Sequence, residues 1–168
     1  MPYHKSCPLW PDRAEHFFRD RVFHERRQSG PHCVSTVLAM LTGAEPETFQ
    51  NRINTQDPVS WSRALRGFGL KLAYCPADVR KLRFYLPELL ALDDLFTLSY
   101  YTPAQAAQIL ADPNDSGWIC GSHIVILHRS EILDPATGQR LRAGTHQCAE
   151  FHSKRIFRVV PVGHERGC

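Results

Sequence analysis

Gln28-Ser-Gly-Pro-His-Cys33-Val-Ser-Thr-Val-Leu-Ala-Met-Leu-Thr-Gly43 changes character part-way along. Ser29, Gly30 and Pro31 are turn formers that stop any preceding helix. Val34, Val37, Leu38 and Leu41 then recur at i, i+3, i+4 and i+7, the stripe of a buried helix, and Gly43 supplies its stop. Cys33 therefore falls in the first turn of that helix. Backbone N–H groups without intrahelical partners and the positive end of the helix dipole favour a thiolate there. A cysteine so placed is a candidate nucleophile, and the rest of the chain must supply its base.

Working outward, Pro11 and Asp12 open an expected helix running to about Arg27, with Phe17, Phe18, Val22 and Phe23 on its buried side. Beyond Gly43, Pro46 starts a short helix to about Ile53. Asp57 and Pro58 start another, whose stripe is Trp61, Ala64, Leu65 and Phe68 and whose stop is Gly69. Leu70–Tyr74 alternates as a strand should. Residues 77–93 read as partly helical, with Pro87 breaking or restarting the pattern. Leu95–Tyr101 is a strand, and Thr102-Pro103-Ala-Gln105 is a capping box opening a helix to about Ala111. Further strands are expected at Trp118–Cys120, His123–His128 and Glu131–Leu133, and after a polar loop at Arg155–Val162.

Helices first and an antiparallel sheet after them make an α+β pattern. One domain is expected over 1–168: a helical extension at 1–27, a mainly helical half at 28–112 with Cys33, and a mainly β half at 113–168.

Composition excludes several classes. The chain has 168 residues, 43% hydrophobic and 22% charged, ordinary for a single globular domain. A formal net charge of +3, with the basic residues scattered, argues against a nucleic-acid partner. No apolar run approaches the roughly 20 residues of a membrane span, so no membrane partner is expected. The N-terminus has no apolar signal-peptide core. The six cysteines read as reduced thiols of a cytoplasmic protein, or of an effector exported without a cleavable signal.

The second informative stretch is Gly121-Ser-His123-Ile-Val-Ile-Leu-His-Arg-Ser-Glu-Ile-Leu-Asp134-Pro-Ala-Thr-Gly138. A reversal at Arg129-Ser130 brings residues 123 and 134 to the same end of a hairpin, where antiparallel neighbours have Cβ atoms about 5–7 Å apart. Asp134 is thus expected to accept from one nitrogen of His123 and fix its tautomer, freeing the other as a base for a thiol. Gln28 offers an amide donor beside Cys33 for the oxyanion of a tetrahedral intermediate. His128 should face away from His123 and be structural.

Taken in order, Gln28, Cys33, His123 and Asp134 resemble the papain-like cysteine hydrolases, especially the compact bacterial and phage-type members related to the bacteriocin leader-processing (double-glycine) peptidases. Cys33–Gly43, the Trp61–Gly69 helix and His123–Gly138 carry the resemblance, which covers roughly residues 28–70 and 117–138. His32 and Val34 depart from the small or acidic residue and the glycine that many relatives have around the cysteine. The Gln28-to-Cys33 spacing is also one residue shorter.

The resemblance implies a papain-like fold, with Cys33 as nucleophile, His123 as base, Asp134 as its orienter and Gln28 as oxyanion donor. It implies cleavage of an amide or peptide bond in a protein or peptide substrate, without a cofactor. A glutamine deamidase or transglutaminase would use the same parts, and a non-catalytic papain-like shell would keep them as a binding module. Zinc is the other chemistry to weigh, with Cys120, His123, His146, Cys148 and His152 as possible ligands. Strand alternation separates Cys120 from His123 unless Gly121-Ser122 is bulged, and the second cluster lacks paired spacing. The expected site therefore has no metal.

Overall fold

Strand β3 (Ser122–His128) shows how the two layers meet. Ile124 and Ile126 join one apolar cluster, while Val125 and Leu127 join another, so the strand is covered on both faces. The computed structural model describes residues 8–102 and 121–167. Around β3 lie β1 (Leu70–Cys75), β2 (Leu95–Tyr101), β4 (Glu131–Asp134), β5 (Gln139–Arg142) and β6 (Ser153–Pro161). The described strands form one antiparallel sheet in the order β1-β6-β2-β3-β4-β5.

Four α-helices are described: α1 (Cys33–Thr42), α2 (Glu47–Gln50), α3 (Pro58–Leu65) and α4 (Leu86–Leu92). Val37, Leu38 and Leu41 of α1, Phe49 of α2, and Trp61 and Leu65 of α3 pack on one sheet face with Leu72, Ile126 and Val159. Leu86, Leu89 and Leu92 of α4 cover the other face, with Trp10, Tyr85 and Phe96. The molecule is α+β.

Local sequence explains most boundaries. α1 ends where Gly43, at φ +79°, donates its N–H to the Ala39 carbonyl, a left-handed position that favours glycine. Asp57 accepts from the Val59 N–H at 3.1 Å, with Pro58 behind it. Pro87 sits in the first turn of α4, so it restarts the helix rather than breaking it.

The expected helix at 11–27 does not form; residues 11–27 run as turns and irregular chain. Its backbone groups are taken by side chains of the sheet instead. Asp94 accepts the N–H groups of Phe17 and Phe18 at 2.7 and 2.8 Å, and Arg158 Nη2 donates to the Glu15 carbonyl. His128 Nε2 donates to the carbonyls of Phe18 and Arg19, and Arg140 Nη2 to that of Phe23. Phe23 is buried, whereas Val22 of the predicted apolar stripe is 76% exposed. The segment is a strap over the sheet, and the helical extension expected at 1–27 is corrected accordingly over its described part.

Strand β5 lies within the expected polar loop. Its residues Gln139-Arg-Leu-Arg142 form an edge strand with one neighbour, so they need no apolar alternation. The expected helix at 102–111 and the strand at 118–120 lie outside the described residues, Thr102 excepted. No described helix is long and apolar enough to cross a membrane.

Candidate active site

The hairpin β3–β4 pairs Ile126 with Leu133 and Leu127 with Ile132. Continued by one pair, that register sets Asp134 opposite Val125, so His123 is its diagonal neighbour on the same face. The side chains meet: His123 Nε2 lies 2.7 Å from Asp134 Oδ1, both residues being almost fully buried. Across the other strand pair His123 faces Tyr100, whose ring meets the imidazole edge-on at 5.7 Å. The imidazole is thus held from two sides.

Asp134 has a second histidine. His146 Nε2 lies 2.8 Å from Asp134 Oδ2, and the Ala136 N–H donates to Oδ1 at 2.9 Å. Burial alone would push this carboxyl upward. The hydrogen bonds from His123 and His146, aided by charge on His123 and the Ala136 N–H, outweigh that and hold it well below the usual carboxylate range.

An ionised carboxylate only accepts, so both imidazoles donate from Nε2. His146 confirms its tautomer independently, because its Nδ1 accepts the Cys148 N–H at 3.0 Å. His123 Nδ1 is buried and has no hydrogen-bond partner among the described residues. In the neutral tautomer selected by donation from Nε2, Nδ1 is the nitrogen that carries the lone pair, the form a base needs.

Cys33 is the first residue of α1 and is half-buried; the His32 side chain does not cap that helix end. Cys33 and His123 line one small inner pocket, together with Trp61, Ser99 and Ser122. Cys33 also lines an outer cleft of about 320 Å³ with Pro31, Thr55, Tyr101 and Ser122. The other described cysteines are different. Burial pushes the Cys75 thiol up to about 12, and burial with the Asp134 charge does the same to Cys148.

Gln28 is buried and locks the two halves of the site together, its N–H donating to the Pro135 carbonyl at 2.7 Å. Next to it, Gly138 at φ +68° sits so close to Arg27 that an added Cβ would meet Arg27 Cβ at 2.9 Å. The Gln28 amide turns back on its own loop, Nε2 donating to the Gly30 carbonyl at 3.0 Å. Gln28 is absent from the described lining of both pockets at Cys33. Only its second amide proton remains for an oxyanion.

The structure thus joins His123 to Asp134 and puts Cys33 in the pocket of His123, while Gln28 sits in the supporting loop. His146 was legible in the sequence only as one of several possible metal ligands. Its Nε2, like that of His123, is committed to Asp134. Among the described residues no group of three or more His, Cys, Asp or Glu is placed to hold a metal ion. His128 packs edge-on against Phe23 at 4.9 Å and serves the strap.

No protein-family model matches the chain, and neither the curated proteins nor the solved structures contain a match.

Proposed function

We propose that this chain is a thiol-dependent hydrolase of the papain-like type, acting on an amide or peptide bond of a protein or peptide through Cys33, His123 and Asp134. One observation carries the reading. A buried His123 is anchored through Nε2 to an ionised Asp134, its Nδ1 has no hydrogen-bond partner among the described residues, and His123 and Cys33 line the same pocket.

In the first half-reaction His123 Nδ1 takes the Cys33 thiol proton, and Sγ bonds to the substrate carbonyl carbon as the carbonyl π pair moves to oxygen. The donor proposed for that oxyanion is the first turn of α1, which no His32 side-chain bond caps; Gln28, whose amide turns back on Gly30, supports the loop. Collapse expels the amine, which leaves with the proton from His123 Nδ1 and leaves a thioester on Cys33. Water then attacks the thioester and gives a proton to His123. The carbon–sulfur bond breaks, the sulfur regains its proton, and the acid is released.

The test compares wild type with Cys33→Ala on a peptide library, with new chain ends and released ammonia measured in parallel. Wild type should generate new termini that the variant does not, with ammonia at background. Ammonia without new termini would replace peptidase by deamidase. If neither product forms, and iodoacetamide labels Cys33 no faster than the other cysteines, the fold is a binding module and the hydrolase reading fails.

A further inference from the structure

Helix α3 divides its side chains between two surroundings. Trp61 and Leu65 enter the core, so Ser60 and Ala64, four residues apart on the neighbouring stripe, turn toward α2. Phe68 is four residues further along that stripe. Its spacing assigns it to the core, yet it is 41% exposed. Its ring meets that of buried Phe49 from α2, the centres lying 5.8 Å apart. Between α2 and α3 lies a pocket of about 140 Å³ walled by Phe49, Ala64 and Phe68, and the exposed Arg52 and Arg63 line it too.

The whole stretch 44–70 is among the described residues, and it holds three carboxylates. Glu45 pairs with Arg26 at 3.0 Å, and Asp57 caps α3 by accepting the Val59 N–H. Neither these two nor Glu47 lines the pocket. Arg52 and Arg63 thus add positive charge to the edge of an apolar hollow. A space of this size falls short of the roughly 300 Å³ that a drug-sized ligand needs, and suits a single aliphatic side chain. An apolar floor with a charged rim is the plan of a protein interface, one buried anchor surrounded by polar contacts.

We propose that the α2–α3 pocket docks an acidic peptide segment of a partner protein. One leucine-sized side chain enters between Phe49 and Phe68, and flanking aspartate or glutamate side chains lie against Arg52 and Arg63. None of the residues lining this pocket lines either pocket at Cys33, and the docking does not require hydrolysis.

The experiment uses the full chain carrying Cys33→Ala, so that no peptide is consumed, and follows amide chemical shifts in NMR titrations. The probes are the capped pentapeptides Glu-Glu-Leu-Glu-Glu, Glu-Glu-Ala-Glu-Glu and Gln-Gln-Leu-Gln-Gln. The first should shift amides within residues 47–52 and 60–69. It should bind about tenfold more tightly than the Ala peptide. It should bind about fivefold more tightly than the Gln peptide at low salt, a gap that closes at about 0.5 M salt. Arg52→Gln with Arg63→Gln, both at exposed positions, should erase the Glu preference and keep the Leu preference. Ala64→Leu fills the pocket and should erase the Leu preference. Should that variant fail to fold, Phe68→Ser should cut the Leu preference to about threefold.

Equal binding of the Glu and Gln peptides, a Glu preference that survives loss of both arginines, or shifts confined to residues around position 33 overturns the proposal. So does octanoate binding that gives the same shifts at least as tightly, which would assign the pocket to a small amphiphile. A dimer of the chain that Ala64→Leu dissociates would assign it to a second copy and overturn the proposal as well.

Discussion

Two aspartates of the sheet layer are buried, and they differ in who holds them. Asp94 is fully buried, pairs with Arg158 Nη2 at 2.6 Å, and accepts two backbone N–H groups of the strap. Asp134 is 2% exposed and accepts from two imidazoles and one backbone N–H. Arginine keeps its proton at any physiological pH, so the Asp94 pair can only be a fixture. Its guanidinium is further boxed by Trp10, Phe17 and Phe96, with ring centres 4.7 to 5.6 Å away. An imidazole has a second ring nitrogen that can exchange a proton in a reaction, and that is the role proposed for His123. The proposed difference between the two clusters is therefore the chemistry open to the partner, guanidinium or imidazole.

The sharpest way to break this contrast is to remove Asp94. Asp94→Ala leaves the Arg158 charge buried without its carboxylate and frees the strap's N–H groups. Loss of about 3–5 kcal/mol in chemical denaturation is expected, with early proteolysis within residues 11–27. A cost under about 1 kcal/mol would show the strap and the ion pair to be incidental.

Asp134→Asn should do the reverse, costing more in activity than in fold. An amide offers no charge to a His123 imidazolium, so kcat/KM of the proposed hydrolysis should fall on the order of a hundredfold or more. The same variant bears on acid stability. The Asp134 carboxyl is lower in the folded than in the unfolded chain, so the unfolded chain binds the extra proton first. Its contribution is therefore complete above the unfolded value of about 3.9 and is lost as pH falls below it. Wild-type stability should decline from about pH 4 downward, and the Asn variant should show a shallower decline over the same interval. Parallel curves would mean that Asp134 is no anchor.

Local and distant partners leave different traces in the sequence. Cys33 and the His123–Asp134 hairpin were legible because helix starts and hairpin registers are local, set by Pro31, Gly43, Arg129 and Ser130 within a few residues. The strap was not. Phe17, Phe18, Val22 and Phe23 have helical spacing, but Asp94, His128, Arg140 and Arg158 take the backbone bonds such a helix would have made. Those four lie between 70 and 150 positions away, and no local pattern reports them. The Gln28 amide suggests an oxyanion donor, whereas it is the backbone N–H, donating to Pro135, that ties the two halves of the site together. His146 looked like a metal ligand because its neighbours Cys148 and His152 share that chemistry; only the fold turns it toward Asp134.

His146 supplies the smallest and most discriminating test. In the proposed reaction it is a positioning residue, touching Asp134 and not the reacting atoms, with its tautomer fixed by the Cys148 N–H. His146→Phe removes the donor to Asp134 Oδ2 while keeping a ring in the space. Asp134 would then have one imidazole instead of two, and its carboxyl should rise toward the ordinary range. The expected result is a loss of about tenfold in kcat/KM, together with a shallower acid decline of stability below about pH 4. His146→Gln, which can still donate to the carboxylate, should recover most of both. A purely packing role would lower Tm in both variants alike and leave the acid decline where it was. That outcome would reduce the cluster to a His123–Asp134 pair with a structural neighbour.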